Sequence, residues 1–225
     1  MILLNINEVY KTINSNERVR QLVKTAPLNI IEQMDVKKFD TKQFVLHQGE
    51  SYQNTYLLVN GRVKVFLNSS SGRKQVVLDV YDSGMFLGEQ EAIINRPYSA
   101  SIINISPITV LSIRNSDFVE WSHRDHRFAD RLIHNLSEQI YHLTKRMERY
   151  SMHSALQQIG LFLLYCAHEH IPITRERITY EVDTSYRNIN RILKKLADIN
   201  VIQINRSIIK ITDFQTLQQI VEMED

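Results

Sequence analysis

The spacing of the apolar residues changes near residue 116, and this change assigns different kinds of structure to the two parts of the chain. Before it, apolar and polar residues alternate in short segments such as 63–67 and 76–80, which is the two-residue period of a strand with one buried face. Five of the six glycines lie within residues 49–88. Short strands separated by turn residues predict a β-sandwich or barrel over about residues 39–113.

Helices are expected on both sides of this β region. Residues 16–26 and 28–34 precede it as two short helices, and a hairpin turn is expected within it at residues 69–72. After the β region the apolar period becomes about 3.6 residues, which is the period of an α-helix.

The longest predicted helix carries a narrow stripe of apolar residues. It runs from about His126 to Tyr150, after a short helix that contains Phe118 and Trp121. Alternating spacings of four and three are typical of helices that pair with a copy of themselves, and packing against the helix's own domain is the alternative. The predicted dimerisation residues are Leu136, Ile140, Leu143 and Met147, with Tyr150 next in the series.

Residues 174–212 have the pattern of a helix-turn-helix followed by a two-stranded wing. Thr174 and Ser185 are of the residue types that cap helix starts. Together, helix, turn, helix and wing form a known arrangement for docking in the major groove of DNA. The expected elements are a preceding helix 154–168, a hinge at 150–153, helices 175–181 and 185–197 joined by the turn 182–184, and strands 201–204 and 208–211 around Arg206.

The second helix of this motif has an apolar face and a basic face. Its apolar stripe is Ile189, Ile192, Leu193 and Leu196, and its other face carries Arg187, Asn190, Arg191 and Lys194. Arginine can bind guanine with two hydrogen bonds, and asparagine can do the same with adenine. A solvated basic face on an ordinary surface helix is the alternative.

Charge favours the DNA-binding interpretation. Residues 185–210 include six basic side chains and a single acid, Asp198, whereas the whole chain has a net charge of +2. Such a local concentration is typical of a phosphate-binding surface. We expect Arg187 and Arg191 to contact bases with help from Asn190. The full predicted set of DNA-binding residues is Thr174, Ser185, Tyr186, Arg187, Asn190, Arg191, Lys194 and Arg206.

Composition excludes several other classes of protein. No apolar run is long enough to cross a bilayer and no secretion signal is present, so we expect a cytoplasmic protein without membrane contact. Cys166 is the only cysteine and lies in an apolar run, which predicts a buried, inert thiol. Neither a metal-ligating pattern nor a nucleophile–base pair occurs, and Glu89 and Glu91 would face opposite sides of an extended segment. We therefore expect no enzyme activity, metal or cofactor.

Two segments resemble those of the Crp/Fnr family of bacterial transcription regulators, and the resemblance covers nearly the whole chain. Residues 84–89 (GMFLGE) with 96–100 (RPYSA) are similar to the family's phosphate-binding cassette, a turn followed by a short helix. Residues 184–196 are similar to its recognition helix. The Gly-Glu-x-Glu and Ser-Tyr-Arg forms also resemble the YeiL-type branch.

The resemblance implies an α+β protein with an N-terminal β-roll or jelly roll of the cyclic-nucleotide-binding type, a dimerisation helix and a C-terminal winged helix-turn-helix. The corresponding parts of this chain are 1–115, 116–150 and 151–225. The resemblance also implies a homodimer on palindromic double-stranded DNA, with RNA polymerase as a candidate partner.

The cassette departs from the pattern of cyclic-nucleotide-binding members, in which backbone amides and an arginine hold the phosphate and a glutamate binds the ribose. Gly88 and Glu89 match, but Tyr98 stands at the arginine position and cannot neutralise a phosphate. Arg96 is a nearby substitute, and Glu91 adds a carboxylate where a small residue is usual. The candidate effector-binding residues are Gly88, Glu89, Arg96, Tyr98, Ser99 and Thr144, and we expect an effector other than cAMP or cGMP.

The recognition helix also departs from the family pattern. Tyr186 replaces its first arginine, and Arg187 replaces the glutamate that reads cytosine, so we expect a half-site unlike the TGTGA type. Asp183 occupies a turn position usually held by glycine, where aspartate is tolerated at some cost.

The sequence thus predicts a homodimeric, sequence-specific transcription regulator with an unknown effector. Three alternatives remain open: a cAMP-dependent regulator, a regulator whose pocket is vestigial, and a nucleotide- or haem-sensing module whose helix-turn-helix binds a protein partner.

Overall fold

The computed structural model describes residues 2–68, 75–182, 184–206 and 208–222, and it describes no side chains for 2–5 and 149–151. The expected hairpin turn at 69–72 and the turn residue Asp183 lie outside the described residues. The chain forms two compact units, Met1–Gln139 and Ile140–Asp225. The predicted division into three parts remains a prediction.

In its described residues, 2–68 and 75–139, the N-terminal unit contains five short helices, eight strands and the start of a long helix. The helices are α1 (Ile2–Asn14), α2 (Glu17–Val23), α3 (Leu28–Glu32), α4 (Glu89–Ile94), α5 (Asn115–Arg124) and α6 (His126–Met152), of which α6 continues into the second unit. The strands are β1 (Asp35–Phe39), β2 (Val45–Leu46), β3 (Asn54–Asn60), β4 (Val63–Asn68), β5 (Gln75–Tyr81), β6 (Phe86–Leu87), β7 (Ser101–Asn104) and β8 (Ile108–Arg114).

The strands form two four-stranded antiparallel sheets, in the orders β1-β8-β3-β6 and β2-β7-β4-β5. This confirms the predicted β-rich domain, which begins at Asp35 rather than Phe39. One buried cluster contains apolar residues of both sheets, including Leu46, Leu58, Val63 and Val110. The two-residue period of the strands therefore arises because each sheet turns one face towards this core.

A second core lies under the N-terminal helices. Val9 and Ile13 of α1 are buried there with an aromatic group in which the ring of Trp121 stacks on Phe128 at a centroid distance of 3.5 Å, and Phe86 meets Phe128 edge-on at 5.8 Å. The predicted helices at 16–26 and 28–34 are confirmed in shorter form as α2 and α3. Helix α1 was not predicted.

The second unit has the predicted helices and wing. Its elements after α6 are α7 (Ala155–His168), β9 (Ile173–Thr174), α8 (Arg175–Glu181), α9 (Tyr186–Asp198), β10 (Ile202–Asn205), β11 (Ile208–Ile211) and α10 (Phe214–Glu222). The three strands form one sheet in the order β10-β11-β9, so the wing hairpin gains a third strand that was not predicted. Cys166 is buried in the core of this unit, as expected, and burial raises the pKa of its thiol.

Helix α10, which was not predicted, packs closely on α7. The side chain of Ser154 caps α7 in a reciprocal capping box with Gln157, and Gln157 Nε2 donates to the carbonyl of Val221 in α10 at 3.2 Å. A Cβ at Gly160 of α7 would overlap the side chain of Val221. Glycine at this position therefore allows the close approach of the two helices.

Candidate functional site

Helix α9 begins at a cap that the sequence predicts. Ser185 has extended backbone geometry, and its hydroxyl accepts a hydrogen bond from the amide of Asn188 at 3.2 Å. The apolar stripe is buried as expected, with Ile189 and Leu193 fully inaccessible. Burial of this stripe fixes which side of α9 faces outward.

The outward side of α9 carries the predicted basic residues. Arg187, Arg191 and Lys194 are exposed, and Asn190 is half-buried between them. Tyr186, at the first turn, is 58% exposed. The side chains that could read base edges are therefore on the accessible face of a helix whose other face is held in the core.

One of these arginines is held by its own helix. Arg191 Nη2 donates to Asn188 Oδ1 at 2.7 Å, and Asn188 Nδ2 donates to Thr184 Oγ1 at 2.8 Å. This chain of bonds orients the guanidinium before any ligand is bound and lowers the conformational entropy lost on binding. Asn188 is not among the predicted site residues, although its i, i+3 spacing from Arg191 is a signal that the sequence offers.

The wing is tied to the start of α8. Arg206 is exposed in a left-handed conformation, with φ of 55°, and its carbonyl accepts a bond from Arg175 Nη1 at 3.0 Å. Thr174 pairs with Ile208 in the sheet, and its hydroxyl accepts from the amide of Arg177 at 3.2 Å. The hydroxyl of Thr174 retains its O–H as a donor for a phosphate.

The N-terminal unit contains a small cavity at the start of α4. Its volume is about 50 Å³. The lining residues that matter here are Tyr81, Gly88, Glu89, Glu91, Tyr98 and Ser99. Four of the predicted effector-binding residues, Gly88, Glu89, Tyr98 and Ser99, are thus brought together.

Glu89 is buried in this cavity and is only 3% exposed. Burial raises the pKa of its carboxyl to about 7, and the charge of Glu91 adds to this effect. Its Oε1 accepts a bond from Gln139 Nε2 at 3.2 Å, and Gln139 Oε1 accepts in turn from Tyr81 Oη at 3.2 Å and from Gln90 Nε2 at 3.1 Å. Tyr81 and Gln139 are not among the predicted site residues, because no local sequence pattern links them to the cassette.

Glu91 lies on the helix α4, so the extended geometry assumed for Glu89 and Glu91 is wrong. The carboxylate of Glu91 folds back onto Ser99, where Oε1 accepts from the amide at 3.1 Å and from the hydroxyl at 2.8 Å. The left-handed residue Asn95, with φ of 51°, ends α4 and reverses the chain. An internal anion therefore occupies the hydrogen-bond donors of Ser99.

Tyr98 fills the space in front of Gly88. Its side chain is 4% exposed, and a Cβ at Gly88 would overlap Tyr98 Oη. Among the described residues, Tyr98 Oη has no hydrogen-bond partner. Burial, followed by the charge of Glu91, raises the pKa of this phenol, which therefore stays neutral.

The other two predicted effector-binding residues lie elsewhere. Arg96 is exposed and is not one of the residues lining the cavity. Thr144 belongs to the second unit, where it is exposed and donates its hydroxyl to the carbonyl of Ile140 at 2.9 Å. The guanidinium of Arg96, the expected substitute for the family's arginine, is therefore absent from the described lining of the cavity.

The predicted dimerisation stripe follows one side of α6. Ile140 and Met147 are 65% and 67% exposed, and Leu143 is half-buried. Leu136 packs partly against the core of the first unit. Ile133, which is 62% exposed, continues the heptad spacing towards the start of the helix.

Within the described part of the chain, no helix combines the length and the apolar character needed to cross a membrane.

Comparison with protein families assigns both parts of the chain. Residues 36–125 match the cyclic nucleotide-binding domain, and residues 155–220 match the Crp-like helix-turn-helix domain.

Two known bacterial proteins have sequences similar to this chain. The chain is 25% identical to the cAMP-activated global transcriptional regulator CRP of Salmonella typhimurium over 181 residues, which cover 74% of this chain and 84% of that protein. It is 20% identical to the cyclic AMP receptor protein of Thermus thermophilus over 180 residues, covering 78% of this chain and 83% of the other.

Solved structures share the fold at lower identity. A CooA variant from Carboxydothermus hydrogenoformans aligns with a TM-score of 0.67 at 15% identity, over 89% of this chain and 94% of the other. The c-di-GMP-responsive global regulator CLP of Xanthomonas campestris aligns with a TM-score of 0.68 at 14% identity, over 86% and 97%. With both of its domains matched and the described fold in agreement, the chain belongs to the Crp/Fnr family of transcription regulators.

Proposed function

We propose that this protein is a cytoplasmic homodimer that binds palindromic DNA sequence-specifically and responds to an effector other than a cyclic nucleotide. The observation that carries the DNA-binding part is the face of α9, on which Arg187, Arg191 and Lys194 are exposed while the opposite stripe is buried. A helix held in this way can enter the major groove without rearranging its own core.

Base reading is assigned to Arg187 and Arg191, with Asn190 between them. Pre-orientation of Arg191 by Asn188 supports a base contact, because bidentate binding of guanine needs a fixed guanidinium plane. Thr174, Tyr186, Lys194 and Arg206 are assigned to the phosphate backbone.

Dimerisation is assigned to the exposed stripe on α6. Ile133, Ile140 and Met147 are each more than 60% exposed at seven-residue intervals. Exposure of an apolar stripe to water is unfavourable, and pairing of two copies of α6 would bury this stripe. The two α9 helices would then enter successive major grooves, about 34 Å apart on one face of a palindrome.

An effector other than cAMP or cGMP is supported by three features of the cavity. Tyr98 replaces the arginine of the family pattern, Glu91 occupies the donors of Ser99, and the volume of about 50 Å³ is small for a nucleotide. One protein similar to this chain is named as cAMP-activated and another as c-di-GMP-responsive, so the fold alone does not specify the effector.

The first experiment is selection of binding sites from random duplex DNA, in parallel with and without cAMP. Enrichment of the same two-fold palindrome in both arms is expected. Enrichment only with cAMP would overturn the proposal that the effector is not a cyclic nucleotide. The absence of enrichment in both arms would contradict DNA binding in the absence of an effector.

The salt dependence of affinity for the selected palindrome tests the alternative of a protein-binding module. Phosphate contacts by the basic face predict a steep negative slope of log affinity against log salt concentration. A slope near zero would contradict the DNA-binding function.

A further inference from the structure

The cavity at the start of α4 is lined by acidic side chains. Two of its lining residues, Glu89 and Glu91, carry carboxylates, and among its described lining residues none is basic. Burial is the main cause of the raised pKa of the Glu89 carboxyl, and the charge of Glu91 adds to it. A positive charge in the cavity would stabilise the ionised form of Glu89, whereas an anion would destabilise it.

Two hydrogen-bond donors at the cavity are already used by a carboxylate of the chain itself. Both the amide and the hydroxyl of Ser99 donate to Glu91 Oε1, at 3.1 and 2.8 Å. An anionic ligand would have to displace a covalently attached carboxylate from them, and it would do so next to Glu89. The chemistry of the cavity therefore selects against phosphates and carboxylic acids.

A buried hydroxyl in the cavity lacks a partner. Tyr98 is 4% exposed, and among the described residues its Oη forms no hydrogen bond. A buried polar atom without a partner is unfavourable, so this atom marks a position where a ligand atom would be stabilised. Because Tyr98 Oη can accept as well as donate, an N–H group is a suitable partner.

The rest of the lining suits a cation of small size. Tyr81 and Tyr98 line the cavity, and aromatic ring faces attract cations. A volume of about 50 Å³ holds a few water-sized groups and no more. A ligand could therefore insert only a head group, while the remainder of the molecule stays outside.

From these observations we propose that the cavity binds a primary ammonium group, either as a small amine or as the end of a longer one. The ammonium donates to the carboxylates of Glu89 and Glu91 and to Tyr98 Oη. This inference rests on the proposed function, since it names the class of effector that the sensor unit recognises.

The test is a calorimetric titration of the full chain with methylammonium chloride, at constant ionic strength set by sodium chloride and above the Glu89 pKa of about 7. Saturable binding of one methylammonium per chain is expected. Tetramethylammonium lacks N–H donors and should bind far more weakly, so equal binding of the two ions would overturn the proposal.

Two variants test the named contacts separately. Glu89→Gln removes one charge and should weaken methylammonium binding by roughly 10- to 100-fold. Tyr98→Phe removes only the hydroxyl and should weaken binding by a smaller factor. Asp82→Asn is the matched control, because Asp82 is an exposed acid outside the cavity. Unchanged affinity in both cavity variants, or no saturable binding to the parent chain, would overturn the site.

Failure of the site and failure of the proposed function give different results. Selection of a palindrome by a chain that does not bind methylammonium overturns the ammonium site alone. Methylammonium binding by a chain that selects no DNA even when methylammonium is present supports the site and contradicts the DNA-binding function.

Discussion

At the scale of single residues, Glu89 makes the stability of the first unit depend on pH. Its carboxyl is protonated in both the folded and unfolded states below about pH 4.5, the ordinary value of its pKa. Between pH 4.5 and about 7 the unfolded chain releases this proton while the folded chain keeps it, so stability falls as pH rises. The loss should reach about 3 kcal/mol.

The measurement is urea unfolding of the parent chain and of Glu89→Gln at several pH values. The substitution should remove most of the decline between pH 4.5 and 7, and Asp82→Asn should retain it. An identical decline in all three proteins would show that Glu89 is not the group responsible.

Arg191 and Lys194 should affect DNA binding in different ways. Arg191→Ala should cost about 1–3 kcal/mol and relax specificity at one base pair, because the guanidinium is assigned to a base edge. Lys194→Ala should weaken binding to all sequences alike and reduce the salt slope. Competition binding on single-base variants of the selected site measures the change in specificity, and its repetition at several salt concentrations measures the salt slope. An equal loss of affinity for all base variants with Arg191→Ala would reassign Arg191 to a phosphate contact.

At the scale of elements, the contact between α7 and α10 depends on Gly160. Gly160→Ala would raise helix propensity by about 1 kcal/mol, but the added methyl overlaps Val221, and overpacking of this kind costs about 1–3 kcal/mol. We expect net destabilisation in urea unfolding. In the double variant Gly160→Ala/Val221→Ala the clash is absent, so its loss should be smaller than the sum of the single losses.

The elements also show how far the sequence could predict this fold. The helices of the winged motif, the wing and the long α6 were predicted because each has a strong apolar period or a capping residue. Helix α1 has Ile6, Val9 and Ile13 at helical spacing, so the sequence does contain a signal for this helix. Helix α10 is short and follows closely after strand β11, so its apolar pattern does not distinguish a helix from a strand.

The parts of the candidate site that could be predicted are those whose residues lie close together in the sequence. The basic face of α9 follows from one helical repeat, and the cassette residues Gly88 and Glu89 follow from one motif. The bond from Glu91 to Ser99 depends on the chain reversal at Asn95, and Gln139 reaches Glu89 from 50 residues away. Contacts of this kind are set by tertiary packing, which a single sequence does not encode in any short pattern.

At the scale of the whole molecule, dimerisation should depend on the stripe of α6. Ile140→Glu places a charge on that stripe, and burying it between two apolar helices would cost several kcal/mol. Sedimentation velocity should show that this variant is a monomer. A titration with the palindrome should show weaker binding than that of the parent chain. His142→Glu, at an exposed position two residues away and so on another side of the helix, should remain a dimer. A dimeric Ile140→Glu would place the interface elsewhere.

The position of the only tryptophan has a practical consequence. Trp121 is fully buried against Phe128 in the first unit, so its fluorescence reports on Met1–Gln139 alone. Far-ultraviolet circular dichroism instead reports on the helices of both units. Coincident denaturation curves from the two signals would indicate a single cooperative transition, and separated curves would give the stability of each unit from one unlabelled sample.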